Sequence, residues 1–461
     1  ALHGNLETSS PTTSRLSRCW LLSIASNMGW LLWTADVSTA FLQGRPQERL
    51  LWIKLPADAL RLLGAPPEAR MKLQKPCYGQ LDAPRRWYLE AVRRLQSLGL
   101  RQHALDSCAF LIYEADFKDK FGISDSPSNS LGEQGLVGMI ILHVDDMLGC
   151  GDSTSVVYQG VIQELRKTFS FREWQDGDSL EYCGASIVKD AEGIRVGHQA
   201  YLKKIKPMTL PKHVGPDHEL SQRELTELRG LLGSLQWPAV QSSPHLQAST
   251  SMTSGSVSTG RAQAVMDANR LLKFAKENAD VGLSYPPLGP VTNLRMITAF
   301  DASFCSRPDG SSQGGYLVLL APRHILETKE DVYHILDWKS SKLPRVARSS
   351  LSAEAQAAGV ASDATEFACR YYEHLLHPLV PLAQLLQMTS VLEPVLITDA
   401  KAVFDSYHRE ALVSNVTDRR SSLEIRVVKE QIQSLGGTLR WVSSDRQLAD
   451  GLTKASMRQN L

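Results

Sequence analysis

"ILHVDDMLGC", residues 141–150, sets two adjacent aspartates, Asp145 and Asp146, inside an apolar run. Neighbouring carboxylates repel one another and resist burial, so a strand that carries them needs a reason. One reason is a hairpin whose polar tip falls between two apolar strands. The other is a divalent-metal site: hard cations such as Mg²⁺ take carboxylate oxygens and cancel the repulsion. The pair alone does not choose between them.

Phosphoryl transfer by two cations needs carboxylates from separate strands meeting at one point, with the ions about 4 Å apart. In "WTADVSTAFLQG" (33–44) a strand-like approach leads to Asp36, a possible third acid. Spacing by itself suits unrelated loop acids equally well. A second set lies downstream: Asp301 ending a strand, Glu354 near a helix start, Asp399 ending another strand, and Asp450 in "LADGLTK". Their successive gaps are 53, 45 and 51 residues, so only a fold that gathers strand ends could unite them. Any one of them alone reads as a helix cap or a solvated loop acid.

The 461 residues exceed one ordinary core, and two or three domains are expected. With 43% hydrophobic and 21% charged residues the chain is globular, which excludes disordered and fibrous classes. Fifty basic residues against 49 acidic ones leave a net charge of +1, so any nucleic-acid surface must be local. The seven cysteines never form C-x-x-C, which argues against a disulfide framework or zinc site and suits a reducing compartment. No apolar stretch reaches membrane-spanning length. "CWLLSIASNMGWLLW" (19–33) comes nearest, but Ser23, Ser26 and Asn27 interrupt it; it reads as an amphipathic helix leading into a strand rather than a signal sequence. The chain opens on Ala1 without an initiator Met, and a fragment is expected.

Along the chain, "RRWYLEAVRRLQSLGL" reads as a helix begun at Pro84, and "LVGMIILHV" (136–144) as a buried strand. Residues 117–135 and 242–260, rich in Ser and Gly, read as long surface loops. "RAQAVMDANRLLKFAKENA" has helical spacing, and "LSYPPLGP" (283–290) is a linker candidate that puts the main domain boundary near 290. Beyond it, "ITAFDASF", "YLVLL", "VLITD" and "TLRWV" read as strands. A long helix opens near Glu354, and another is closed by Gly436 and Gly437. The fold class expected is α/β (α+β) in both halves.

The segments "SPTTSRLSRCWLLSIASNMGWLLWTADVSTAFLQG", "LWIKLP", "KPCYGQLDAPRRWY", "DSCAFLIY" and "ILHVDDMLGCGD" follow one another in order. Together they resemble the reverse transcriptase of copia-type retrotransposons, whose usual forms are like DVKTAFLNG, LYGLKQAPRxWY and YVDDM. The likeness continues through "EYCGASIV", "ELTELRGLLGSLQW" and "ANRLLKFAK". It then enters a ribonuclease H in "AFDASF", "LDWKSSK", "SSLSAEAQA", "LITDAKAVFDS" and "LADGLTKA", and so covers nearly the whole chain.

The resemblance implies a partial fingers and palm over 1–152, the palm end, thumb and connection over 153–290, and a ribonuclease H-like mixed-sheet domain over 291–461. It implies that Asp36, Asp145 and Asp146 are the polymerase's catalytic, metal-binding acids, and Asp301, Glu354, Asp399 and Asp450 the nuclease's. Phe41 matches the aromatic gate that excludes a ribose 2′-OH; residues on a core face would otherwise explain it. Gly79 matches a loop beside the incoming nucleotide, Arg85 and Arg86 are candidate phosphate contacts, and His143 lies near the primer end. The implied cofactor is Mg²⁺, or Mn²⁺ in its place. The implied partners are an RNA template, a DNA primer, the RNA–DNA hybrid and deoxynucleoside triphosphates, with no membrane. The implied location is a cytoplasmic virus-like particle, with a nuclear phase.

Three departures stand out: His143 for the family's Tyr, Ser38 for a usual Lys, and Asp82 for a usual basic residue, which is expected to bring negative charge near template phosphate. The chain also begins just before "SPTTSRL", so the upstream fingers strands, and the integrase and protease regions, are expected to lie outside it. These departures keep two alternatives open: a decayed or domesticated remnant that only binds nucleic acid, and a nuclease active in its second half alone.

Overall fold

The computed structural model describes residues 7–46, 49–121, 129–211, 213–328, 331–410 and 418–454. Two compact units emerge: Ala1–Ser17 with Leu31–Asp176, and Arg18–Trp30 with Gly177–Leu461. The helix α1 (Arg15–Met28) and the strand β1 (Leu31–Val37) match the helix-then-strand expected of "CWLLSIASNMGWLLW".

In the first unit, "RRWYLEAVRRLQSLGL" forms α2 (Ala83–Ser97) with Pro84 in its first turn, where a missing N–H costs nothing. Four strands follow: β2 (Arg101–His103), β3 (Asp106–Tyr113), β4 (Leu136–His143) and β5 (Asp146–Gly151). The helix α3 (Val156–Thr168) and the strand β6 (Phe171–Asp176) complete the unit. The strands make one antiparallel sheet in the order β2-β3-β4-β5-β1-β6. β3 and β4 are near-continuous apolar runs rather than alternating ones, because both faces are covered. Trp87, Ala91 and Leu95 of α2, at fourfold spacing, join Phe110, Ile112, Ile140, Leu142, Tyr158 and Leu165 in the core. This sheet puts β1 beside β5, and so brings Asp36 to the tip of the opening hairpin.

The second unit begins with β7 (Ser179–Tyr182), β8 (Ala185–Asp190) and β9 (Gly193–Gly197). Helices α4 (Gln222–Gln241), α5 (Gln247–Ser256) and α6 (Ala262–Glu277) share a core of Leu228, Leu232, Leu235, Val265, Leu271 and others. α5 occupies the Ser/Thr-rich stretch 242–260, which reads as a loop in the sequence. Small residues there favour close packing: Thr250 is buried and satisfies its hydroxyl on the Leu246 carbonyl at 2.7 Å, one turn back. "LSYPPLGP" also differs from a bare linker. Its first residues form β10 (Leu283–Tyr285), which adds to β9 and buries Tyr285. In the other loop, 117–135, Lys118–Phe121 form one helical turn and residues 122–128 lie outside the described residues.

The rest of the unit is a mixed sheet. β11 (Leu294–Ser303), β12 (Gln313–Pro322) and β13 (His334–Lys342) form an antiparallel meander. After α7 (Ser350–Leu376) come β14 (Val395–Thr398), α8 (Lys401–His408), α9 (Arg419–Ser434) and β15 (Thr438–Trp441). β14 pairs parallel to β11, and β15 parallel to β14, giving the order β13-β12-β11-β14-β15. A mixed sheet with covering helices is what the α/β (α+β) reading of this half expects. Parallel pairing needs crossovers, which α7 and the α8–α9 pair supply. Its consequence is functional, since the C-terminal ends of β11 and β14 come out side by side, with Asp301 and Asp399 upon them. No helix among the described residues is long and apolar enough to cross a membrane.

Candidate active sites

The tip of the β4–β5 hairpin is a two-residue turn, Val144 and Asp145, with His143 opposite Asp146. Val144 has φ of 59°, the positive first angle of a type II′ turn. For a β-branched residue that conformation is strained, by about 1–3 kcal/mol. Two contacts hold it: Trp87 Nε1 donates to the Val144 carbonyl at 2.7 Å, and Val37 N–H donates to the Asp145 carbonyl at 2.9 Å. Gly149, three residues into β5, lies opposite Trp33, and a Cβ there would come within 2.2 Å of the indole ring. The glycine therefore lets β1 and β5 pair beneath that ring.

Asp36 is the direct cross-strand partner of Asp146. Partial burial and the nearby Asp145 charge push the Asp36 carboxyl above its ordinary range, against the opposing pull of Arg172. Arg172, on β6, donates to Asp36 Oδ2 at 2.8 Å. No local pattern signals this contact, because β6 reaches β1 only through sheet pairing. Asp36, Asp145 and Asp146 are thus neighbours, but among the described residues their oxygens do not converge into a metal-holding cluster.

The other candidates of this unit lie close by. Phe41 stands in the short 3₁₀ turn Ala40–Gln43, its ring 4.7 Å from that of Tyr78. Gly79 follows Tyr78 with φ of 93°. Arg85 pairs with Glu7 at 2.7 Å and donates to the Ser9 carbonyl at 2.9 Å. Arg86 and Arg49 each reach Asp82 Oδ2 at 2.7 Å. Asp82 is buried, and although burial opposes ionisation the two guanidinium groups hold its carboxyl below the usual range. The expectation that Asp82 brings negative charge near template phosphate is therefore corrected: its charge is neutralised inside the fold.

In the second unit, carboxylate oxygens of Asp301, Asp399 and Asp450 lie within 4.8 Å of one another. Asp301 is buried on β11 and accepts from Thr453 Oγ1. Asp399 follows β14 and accepts from Ser444 Oγ at 2.7 Å and Gln447 Nε2 at 3.4 Å. Asp450 lies in the 3₁₀ turn Leu448–Leu452 and accepts from Lys454 Nζ at 2.6 Å. That turn approaches the sheet over Gly315, where a Cβ would meet Leu452 at 2.6 Å, and is pinned by Ser340 Oγ donating to the Leu452 carbonyl.

Glu354 faces the same cluster from the first turns of α7, whose start is capped by Ser349. Burial first, then Asp301 and Asp399, push its carboxyl up to about 9. Its Oε2 is buried without a hydrogen-bond partner. Asp301 is likewise raised, by burial and by its acidic neighbours.

Residues 3–210 match the family described as reverse transcriptase (RNA-dependent DNA polymerase). Over 475 residues the chain is 25% identical to the retrovirus-related Pol polyprotein from transposon RE2 of Arabidopsis thaliana, covering 98% of this chain and 28% of that one. The corresponding polyprotein from transposon RE1 of the same plant is 25% identical over 471 residues, with the same two coverages. Residues 3–210 are similar to this reverse transcriptase family, and nearly the whole chain to these Pol polyproteins. The chain spans 28% of the length of these curated relatives. Among solved structures, the foamy viral protease-reverse transcriptase in complex with RNA/DNA hybrid is loosely similar, at 12% identity and a TM-score of 0.45 over 96% of this chain and 47% of that one.

The two sets of acids differ in their fitness for a cation. The second-unit set is all hard oxygen donors, and Glu354 Oε2 is an orphaned buried acceptor, so the residues fit a divalent ion such as Mg²⁺. In the first unit Arg172 already supplies a positive charge to Asp36. Sequence reasoning missed Arg172, Ser444, Gln447 and Thr453 as neighbours of the acids. Thr453 lay within the quoted "LADGLTKA", whereas Ser444 and Gln447 had no signal beyond it.

Proposed function

We propose that this chain is an RNA-directed DNA polymerase with ribonuclease H activity from a copia-type element. Residues 1–152 act as partial fingers and palm, 153–290 as palm end, thumb and connection, and 291–461 as the ribonuclease H-like domain. Its partners are an RNA template, a DNA primer, deoxynucleoside triphosphates and the RNA–DNA hybrid, the last read through backbone shape and 2′-OH groups. The compartment that goes with this reading is a cytoplasmic virus-like particle with a nuclear phase.

The observation that carries it is the convergence of Asp301, Asp399 and Asp450, brought from three separate elements. With Glu354 they would hold Mg²⁺ or Mn²⁺, which supplies charge stabilisation to the attacking and leaving oxygens of a phosphodiester. The chain's own part is orientation: Ser444 and Gln447 fix the Asp399 carboxylate, and Thr453 fixes Asp301. In the palm, Asp36, Asp145 and Asp146 would hold the polymerase cations, Phe41 would exclude the 2′-OH, and Gly79 would border the nucleotide. His143 would lie near the primer end. Arg85 and Arg86 would reach phosphate only by giving up their present partners.

One observation favours a second reading, a nuclease without polymerase activity: the Arg172 guanidinium sits on Asp36 and the palm oxygens do not converge. Primer extension and hybrid cleavage, run on one preparation with Mg²⁺, separate the two. Both activities are expected, extension lost in Asp145→Asn and cleavage lost in Asp399→Asn. Cleavage without extension selects the second reading, and neither activity would leave a nucleic-acid-binding remnant.

A further inference from the structure

We propose that Tyr78 is a positioning residue for sugar selection, bracing the Phe41 ring so that it cannot swing away from a ribose 2′-OH. The inference rests on the polymerase reading and extends it to a residue outside the sites assigned above. Phe41 stands on a well-held backbone. Gly44 N–H donates to its carbonyl at 3.0 Å, and Gln43 Nε2 donates to the Ser38 carbonyl at 2.6 Å. Its ring, however, is only partly buried at the edge of the core. A half-buried phenyl can relax around one added hydroxyl, and apolar walls discriminate poorly against such small additions. A gate of this kind needs a second wall behind it.

Tyr78 supplies that wall. Its ring lies 4.7 Å from the Phe41 ring, tilted by 43°, within the range of a favourable aromatic pair. Tyr78 is 58% exposed, so burial does not explain where its ring lies. Its own loop is fixed: Cys77 N–H donates to Gln80 Oε1 at 3.1 Å, and Gln80 N–H to the Cys77 carbonyl at 3.2 Å. Four residues on, Asp82 is buried between Arg49 and Arg86. An exposed ring on a hydrogen-bonded turn, set against the one aromatic expected to touch the sugar, has the geometry of a brace.

The test uses the full chain and the ratio of kcat/KM for dATP over ATP in single-nucleotide primer extension. Tyr78→Ala is expected to lower the ratio about three- to tenfold, the kinetic range of an aromatic pair. Tyr78→Phe is expected to keep the parent's ratio, and Tyr78→Ala to add nothing to Phe41→Ala in a double-mutant cycle. An unchanged ratio in Tyr78→Ala, an equal loss in Tyr78→Phe, or additivity with Phe41→Ala overturns the proposal. Fluorine NMR of the para-fluorophenylalanine-labelled chain, with the Phe41 signal assigned by its loss in Phe41→Leu, reads the brace without activity. That signal is expected to move in Tyr78→Ala and return in Tyr78→Phe; a signal unmoved in Tyr78→Ala overturns the brace. If the parent extends no primer, the polymerase reading falls for this chain. Titrating the same signal with dATP and ATP then decides the inference, which equal affinities in the parent, or a preference unaltered in Tyr78→Ala, overturn.

Discussion

Glu354 shows how one side chain can set a pH dependence. Its carboxyl is pushed up to about 9, first by burial and then by Asp301 and Asp399, against an ordinary value of 4.5. Between those two values the native state holds a proton that the unfolded chain has lost. Stability from this group is therefore complete below about 4.5 and drains away as the pH rises toward about 9. Melting of the metal-free protein across that window should show a falling midpoint, and Glu354→Gln should flatten the fall. A slope that Glu354→Gln leaves intact would assign the effect elsewhere. Ser444 makes a smaller, separable case. Because it orients Asp399 at 2.7 Å, Ser444→Ala should slow hybrid cleavage about 10–100-fold, the usual cost of losing a partner behind a metal ligand.

At the scale of elements, the β4–β5 hairpin depends on close approach as much as on hydrogen bonding. Gly149→Ala would drive a methyl into the Trp33 ring and should destabilise the first unit by about 1–3 kcal/mol, the cost of overpacking a filled core. Urea unfolding followed by tryptophan fluorescence measures it, and a neutral result would mean that the ring has room to move. The pairing of β6 with β1 has a different consequence, since it delivers Arg172 to Asp36. Arg172→Ala should strengthen Mn²⁺ binding at Asp36, Asp145 and Asp146 by up to about fivefold, the upper reach of an exposed ion pair. Manganese titration by electron paramagnetic resonance, with Asp399→Asn present to silence the second site, checks this; weaker binding would instead make Arg172 an aid to the ion.

For the molecule as a whole, the unit holding Asp301, Asp399 and Asp450, with Glu354 facing them, should be the one that responds most to metal. An ion that binds only the native state at about 100 times its Kd adds roughly 2.7 kcal/mol. A thermal scan should show the second unit's transition rising with Mg²⁺, and Asp399→Asn should abolish that unit's rise. A rise that survives Asp399→Asn would show that the ion stabilises through other residues.

The sequence by itself determined most of the elements and singled out the acids as candidates. Helical spacing in 83–97 and 262–277 and apolar runs in 136–143 and 294–303 are local patterns, readable because burial repeats with the period of the element. Ordered motifs singled out Asp301, Glu354, Asp399 and Asp450 although nothing local connects them. What only the tertiary structure decided is which charges meet. Parallel pairing of β11 with β14 set Asp301 beside Asp399, and antiparallel pairing of β1 with β6 set Arg172 on Asp36. Burial turned Asp82 into an internal counter-ion for Arg49 and Arg86, and small side chains made a helix of 247–256. Those outcomes depend on contacts between residues far apart in the chain, where no periodicity reaches, and a carboxylate's ionisation follows the neighbours that the fold brings to it.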